Sequence, residues 1–281
     1  MRWSPGGTSS NVEDRRGGGG MGMAPMGIGG TVILVVLSLI FGRDFVSGSG
    51  ADPARASSAS GEVAPPTSQS PAEAREVQFV SFVIDTAEAT WARLLPEQTG
   101  APWHNAKLVL FRDATRTGCG VGQTAMGPFY CPNDERIYID LSFYDELRDR
   151  FGAPGEFAQA YVITHELGHH VQHLLGTDAK VRQLQEQNPD RANDLSIALE
   201  LQADCYSGVW ANHAKQLLDP GDIDQGLNAA AAVGDDRIQR ETTGHVNTDT
   251  FTHGSSKQRS SWFRKGYDSG SASACNTFAG T

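Results

Sequence analysis

The first 75 residues differ so strongly in composition from the rest that they limit where a folded domain can lie. The chain has 281 residues and 32 glycines, and many of the glycines fall near the N-terminus. Residues 1–27 are rich in glycine and polar residues, and such a segment buries too little apolar surface to fold. We therefore expect residues 1–27 to be disordered and the folded domain to span residues 76–281.

An apolar run follows the glycine-rich start, and its most apolar part is residues 28–41. This part is shorter than the roughly 20 residues that cross a bilayer, although neighbouring small residues can extend it. The long segment before it favours an uncleaved transmembrane signal anchor over residues 28–46. A cleaved signal peptide, with a weak cleavage site at residues 47–49, and a buried core segment are the alternatives.

The charges beside the apolar run predict which way the chain would cross. Arg15 and Arg16 lie on its N-terminal side, so the positive-inside rule places residues 1–27 in the cytoplasm. Residues 47–75 are rich in Ser, Ala and Pro and predict a flexible linker. The expectation is a single-pass protein of the cell membrane with its folded domain outside the cytoplasm.

The charge of the folded part excludes one class of partner. The chain has a formal net charge of −10. Residues 1–75 contain six basic and six acidic residues, so the whole net charge falls on residues 76–281. Nucleic-acid-binding domains carry a basic surface, which an acidic domain lacks. We therefore expect no nucleic-acid partner.

The four cysteines are Cys119, Cys131, Cys205 and Cys275. None of them forms a CxxC pair, which argues against a thiolate zinc site. An even number in an exported domain favours disulfides. Cys119 and Cys131 flank a short Gly/Pro-rich stretch and could close a small loop, which leaves Cys205 to pair with Cys275. Four buried thiols are the alternative.

Hydrophobic periodicity predicts an α+β domain that is mainly helical and has a small β-sheet. The predicted helices cover residues 76–95 (ending near Pro96), 156–175, 194–218, 223–238 and 255–267. Strand-like composition marks residues 107–111 and 136–141.

The string His165-Glu166-Leu167-Gly168-His169 is an HExxH motif inside the predicted helix 156–175. Residues four apart on a helix lie about 40° apart around its axis, so both imidazoles project from one face. Two imidazoles placed in this way can bind one tetrahedral Zn²⁺. Glu166 is placed to reach a water on the metal and not the metal itself, which is typical of a general base. A solvated, His-rich helix face is the alternative.

A catalytic zinc needs a third protein ligand and one open position. The longer HExxHxxGxxH pattern is absent, because Gln172 and Leu175 occupy its last Gly and His positions. His173 lies roughly 12 Å along the helix axis from His165, too far to share the ion. Glu200, on the second predicted helix, is the better candidate for the third metal ligand. Asp204, one turn later, can accept the free ring N–H of a ligating histidine and so fix the orientation of that ring without touching the metal.

Five blocks of the sequence, HELGHHVQ, ELQADCYSGVW, GPFYCP, YIDLSFY and FTHGSSKQR, resemble the neutral zinc metallopeptidase family. The family consists of bacterial proteins with a short N-terminal segment, a membrane span and an HExxH domain. The resemblance covers the N-terminus, the apolar run and nearly all of residues 76–281, but not the linker. It implies a zincin-like fold of gluzincin type with Glu200 as the third zinc ligand.

These observations predict a zinc metallopeptidase that hydrolyses peptide bonds with Glu166 as general base. The oxyanion needs a stabiliser besides the metal, and His253 is the first candidate. Tyr138 and Tyr144 are further candidates, and His245 is a weaker one. Two other functions stay open: an inactive membrane-tethered binding module, and a zinc amidase that acts on cell-wall peptides.

The two predicted strands suggest how a peptide substrate would bind. An extended peptide can add to the exposed edge of a sheet through main-chain hydrogen bonds. Residues 107–111 or 136–141 are the strands that could offer such an edge.

Overall fold

The computed structural model describes residues 1–17 and 70–279, and in them the fold is α+β with a helical majority. The α-helices are α1 (Pro71–Thr99), α2 (Ser142–Asp149), α3 (Glu156–Leu174), α4 (Thr177–Gln187), α5 (Ala192–His213), α6 (Asp222–Ala232), α7 (Asp235–Thr243) and α8 (Ser256–Ser269). The strands are β1 (Val12–Asp14), β2 (Lys107–Phe111), β3 (Ala114–Thr117), β4 (Gly120–Gln123), β5 (Phe129–Cys131) and β6 (Arg136–Asp140).

Four of the strands form one sheet in the order β1–β2–β6–β5. β1, β2 and β6 are parallel, whereas β5 runs antiparallel to β6. β3 and β4 form a separate antiparallel hairpin. The two predicted strands are therefore present, but both lie inside the sheet. The expectation that one of them offers a free edge is wrong, because β1 and β5 cover their outer sides.

The helix that carries the HExxH motif lies in the centre of the fold. Phe157 and Tyr161 of α3 are buried, and their rings pack against Phe263 of α8. α5 and α8 approach very closely, since a Cβ atom on Gly266 would lie 1.9 Å from the carbonyl oxygen of Cys205. Only glycine fits there, and this contact holds α8 against α5.

The prediction that residues 1–27 are disordered is wrong for residues 1–17. β1 pairs with β2 in register, with Val12 opposite Leu108. The ring of Trp3 packs 5.2 Å from the ring of Phe79, measured between centroids. The composition of this segment does not predict a strand, because β1 has only three residues and its partner β2 lies almost a hundred residues later in the chain.

The predicted signal anchor at residues 28–46 and most of the predicted linker lie outside the described residues. At the end of the linker, α1 begins at Pro71 and not at residue 76, since Ser70 and Glu73 form a capping box. None of the helices in the described parts of the chain is long and apolar enough to cross a membrane.

Several other boundaries differ from the predicted ones. α1 continues through Pro96 and ends at Thr99, where the following Gly100 caps it with a left-handed φ of 75°. The predicted helix 223–238 is two helices, α6 and α7, which Val233 and Gly234 separate. α5 ends at His213, and α2 and α4 were not predicted. Both predicted disulfides, Cys119–Cys131 and Cys205–Cys275, are present.

Candidate metal centre

The three predicted metal ligands converge where α3 faces α5. His165 Nε2 lies 3.2 Å from Glu200 Oε2, and His169 Nε2 lies 3.5 Å from Glu200 Oε1. One ligand atom from each residue falls within 4.8 Å of the others. Two helices that are distant in the chain therefore bring two imidazoles and a carboxylate around one point.

Hydrogen bonds at Nδ1, on the far side of both rings, turn their Nε2 atoms towards Glu200. His165 Nδ1 lies 2.9 Å from Asp204 Oδ1, the contact that the sequence predicted. His169 Nδ1 lies 2.8 Å from Gln172 Oε1. Gln172 Nε2 donates to the carbonyl of Leu199, which fixes the amide with its oxygen towards His169. Both Nδ1 atoms can therefore donate, and once a metal displaces the proton that His165 Nε2 shares with Glu200, the Nε2 lone pairs face the metal position.

The electrostatics of the centre favour a bound cation. Burial alone would raise the pKa of Glu200, but His169 and His165 hold it well below its usual range. Burial opposes the charged form of His165, yet Asp204 and Glu200 outweigh it and raise the pKa of this imidazole to about 10. The carboxylates are therefore ionised in a buried place, where a positive charge is strongly stabilised.

Glu166 lines an open cleft of about 470 Å³ next to the three converging residues. The residue is 8% exposed, and its carboxylate hydrogen-bonds to no other group in the described part of the chain. A carboxylate without such a partner is available to a substrate or a water in the cleft. This is the position that the motif predicts for a general base.

His253 is the candidate stabiliser that the structure brings to the cleft. Its Nδ1 lies 3.2 Å from Asp235 Oδ1. The other oxygen of Asp235 accepts the backbone N–H groups of Thr252, His253 and Gly254 at 2.7–3.0 Å. Burial would lower the pKa of His253, but Asp235 and Glu200 raise it. Asp235 thus fixes both the loop and the ring.

The other candidate stabilisers do not line the cleft. Tyr138 donates its hydroxyl to Asp134 Oδ2 at 2.7 Å and stacks on Phe129. Tyr144 is buried with its hydroxyl in the apolar core. His245 lies in an exposed loop after α7.

His170, next to the ligand His169, has a structural role. His170 Nε2 donates to the carbonyl of His104, so its Nδ1 accepts the hydroxyl proton of Tyr130 at 2.9 Å. Burial lowers the pKa of His170 to about 4, which keeps the ring neutral. Its hydrogen bond with Tyr130 connects α3 to β5 and so positions β5, which lines the cleft.

Sequence reasoning missed three residues that contact a ligand, His253 or Asp204: Gln172, Asp235 and Arg259. Gln172 was considered only as a departure from the longer zinc motif. Arg259 stands at the end of the FTHGSSKQR block, and its side chain is buried beside Asp204. A buried arginine needs an acidic partner, which was the available signal.

The donor set fits zinc. Two imidazole nitrogens and one carboxylate form the His₂Glu set of catalytic zinc sites, which leave a fourth position for water or substrate. Each imidazole also has the hydrogen-bonded partner that such ligands require.

Comparison with known proteins supports the same assignment. A protein of Escherichia coli K12 named "Uncharacterized protein YpfJ" is 47% identical over 291 residues, which cover 99% of both chains. An uncharacterized protein of Mycobacterium tuberculosis H37Rv is 42% identical over 208 residues, which cover 69% of this chain and 68% of that one. No solved structure matches. The family model described as "Putative neutral zinc metallopeptidase" matches residues 1–278, and the chain belongs to that family.

Proposed function

We propose that this protein is a zinc-dependent peptidase of gluzincin type that hydrolyses peptide bonds. The observation that carries the proposal is the convergence of His165, His169 and Glu200 beside the free carboxylate of Glu166 in an open cleft. A zinc ion bound there would lower the pKa of water and polarise a carbonyl group. The zincin-like fold is part of the same proposal, supported by the contact of the HExxH helix with β5 of the small sheet.

Residues of the chain itself would transfer the proton, stabilise the oxyanion and orient the metal ligands. Glu166 accepts the proton of the attacking water and passes it to the leaving amine. His253, which Asp235 holds at the cleft, donates a hydrogen bond to the developing oxyanion. Asp204 and Gln172 keep the two imidazoles in the orientation that exposes Nε2.

The edge strand of the sheet gives a peptide a place to bind. β5 pairs with β6 on one side, and on its other side no strand of the described residues pairs with it. Phe129 and Tyr130 of β5 line the cleft. An extended substrate added along β5 would pass the metal centre and present its backbone carbonyl to it.

The test compares the wild-type chain with Glu166→Gln. The variant keeps all three ligands, so it should bind as much zinc as the wild type. It loses the proton acceptor, so hydrolysis of a mixed peptide library should fall by roughly 10²–10⁴-fold. A zinc-containing wild type that cleaves no peptide beyond the level of Glu166→Gln would contradict the proposal and favour a binding module. Cleavage of cell-wall peptides alone would favour the amidase.

A further inference from the structure

Arg259 of α8 lies against the metal centre although it is not a ligand. Its side chain is buried, and the residue is 3% exposed. The guanidinium meets Asp204 through two parallel contacts, Nε to Oδ2 at 2.8 Å and Nη2 to Oδ1 at 3.0 Å. Such a fork fixes a carboxylate in both position and rotation.

The same guanidinium also contacts α3. Its Nη2 atom lies 3.2 Å from the hydroxyl oxygen of Tyr161 and 3.3 Å from each ring nitrogen of His165. Because Nη2 is equally far from both ring nitrogens, it lies beside Cε1, the ring atom that joins them. Nη1 donates to the carbonyl of Val233 at 3.1 Å, which anchors the other side. Arg259 therefore restricts both Asp204 and the ring that Asp204 orients.

The charges of the centre balance only with Arg259 present. Glu166, Glu200 and Asp204 are carboxylates at or beside the ligand cluster, and Arg259 Nη2 lies 3.7 Å from Glu200 Oε2. With His165 and His169 neutral, as metal ligands must be, three carboxylates and one guanidinium leave two negative charges, which a divalent cation neutralises. Without Arg259, Asp204 would keep its contacts with Tyr161 and His165 but lose the guanidinium that offsets its buried charge, and such charges are costly.

We propose that Arg259 is a positioning residue of the metal centre, which acts through Asp204 to hold His165 with Nε2 towards the ion. The proposal rests on the zinc site of the proposed function but not on peptide hydrolysis. It differs from a purely structural role, in which Arg259 would stabilise the fold and leave the zinc affinity of the folded protein unchanged.

The experiment measures zinc affinity in the full chain after chelator treatment, by competition with a chromophoric chelator. Arg259→Gln and Asp204→Asn should each weaken zinc binding by about 10- to 100-fold. Because Arg259 acts mainly through Asp204 and also contacts His165 directly, the loss of affinity in the double variant should be clearly smaller than the product of the two single losses. Arg259→Lys keeps the charge but not the fork, and should lie between wild type and Arg259→Gln. Lys257→Gln, an exposed cation on the same helix, is the control and should change nothing.

Three outcomes would overturn the proposal. Arg259→Gln could lower the melting temperature of the metal-free protein while its zinc affinity stays within about twofold of wild type. The losses from Arg259→Gln and Asp204→Asn could instead multiply in the double variant, which would show that Arg259 does not act through Asp204. A wild type that binds no zinc would remove the proposal together with the proposed function.

Folding and coordination geometry can be checked separately. If Arg259→Gln alone does not fold, the double variant removes both buried charges, and its comparison with Asp204→Asn decides the question. The visible absorption spectrum of the cobalt-substituted protein should also change in Arg259→Lys, because the orientation of a ligand changes. A spectrum identical to that of the wild type in Arg259→Lys would count against the positioning role.

A different observation concerns residues 1–17, which are bound to the domain at several points. The N–H of Leu108 in β2 donates to the carbonyl of Asn11 at 2.8 Å. Trp3 Nε1 donates to Glu156 Oε2, at the start of α3, at 2.9 Å. Arg15 Nη1 donates to the carbonyl of Arg116 at 3.0 Å. One of the two arginines that predict a cytoplasmic N-terminus therefore contacts the folded domain directly.

We also infer that residues 1–17 and 70–279 lie in the same compartment. A single crossing of a membrane between them would put β1 and β2 on opposite sides, and their hydrogen bonds could not form. The four native cysteines pair as disulfides, and the wild-type chain labelled in parallel gives the background against which each introduced cysteine is compared.

The test compares Ser10→Cys with Asp190→Cys, both at exposed positions, in Escherichia coli spheroplasts that express the full chain. If both parts lie outside the cytoplasm, a membrane-impermeant maleimide should label both positions in intact spheroplasts. If both lie in the cytoplasm, it should label both only after permeabilisation. Labelling of position 190 in intact spheroplasts, with position 10 labelled only after permeabilisation, would overturn the inference.

Discussion

Gly168 of α3 lies directly against Ala203 of α5. A Cβ atom on Gly168 would lie 3.0 Å from both the Cα and the carbonyl oxygen of Ala203. His165 and His169 flank this contact on one helix, and Glu200 and Asp204 flank it on the other. This tight contact between the two helices therefore sets the distance between the imidazoles and the carboxylate.

Replacing Gly168 should weaken zinc binding in proportion to the size of the new side chain. Gly168→Ala forces the backbone of α5 to move by a few tenths of an ångström, and Gly168→Val forces a larger shift. We expect a loss of zinc affinity of roughly tenfold for Ala and more for Val. Gly6→Ala, which meets no atom within 4 Å, is the control. Unchanged zinc affinity in Gly168→Val would show that this contact does not set the site.

Removal of His253 should slow catalysis without removing the metal. His253→Ala deletes the hydrogen-bond donor in the cleft, so kcat should fall by about 10²–10³-fold while KM changes little. Zinc content should stay at the wild-type level, because none of the three ligands changes. His245→Ala, in an exposed loop, is the matched control. Loss of zinc from His253→Ala would mean that His253 is a ligand and that its assigned role is wrong.

Glu88 of α1 should make the stability of the fold depend on pH. The residue is 3% exposed and accepts hydrogen bonds from Trp103 Nε1 and from the N–H of Ala106, both at 2.9 Å. Burial raises the pKa of Glu88 to about 8, although these two donors oppose the shift. The unfolded chain releases this proton near its ordinary value of 4.5, whereas the folded chain keeps it until about 8.

The unfolding free energy should therefore fall as pH rises between these two values, and Glu88 should add no slope outside them. Glu88→Gln removes this contribution, so the difference between variant and wild type should change across that window. Glu97→Gln, an exposed position on the same helix, should follow the wild type throughout. Denaturant unfolding measured from pH 4 to 9 gives the comparison, and parallel curves for Glu88→Gln and wild type would contradict the prediction.

Local patterns predicted the parts of the site that depend on spacing within one helix. His165, Glu166 and His169 follow from a four-residue period, and α3 has nearly its predicted bounds. Glu200 and Asp204 were found because an acidic pair stands among apolar residues on a second helix. Both disulfides followed from the number of cysteines and their spacing in the chain.

Contacts between distant segments could not be predicted in this way. β1 is too short to stand out, and only its pairing with β2 makes it a strand. Arg259 and Asp235 resemble ordinary helix residues until α8 and α7 are packed against α5 and the cleft. The free edge of the sheet was misassigned for the same reason, since strand order depends on partners that local composition does not show.

The central claim is that Glu200 completes a zinc site with His165 and His169, and zinc content tests it most directly. The measurement is the zinc bound per chain in the purified wild type and in Glu200→Gln, after dialysis against a weak chelator. We predict about one zinc per wild-type chain and almost none in Glu200→Gln. Losing a ligand should weaken binding by more than the roughly 10- to 100-fold that follows when only the hydrogen-bonded partner of a ligand is lost. Glu200→Gln that retains zinc as tightly as the wild type would contradict the account.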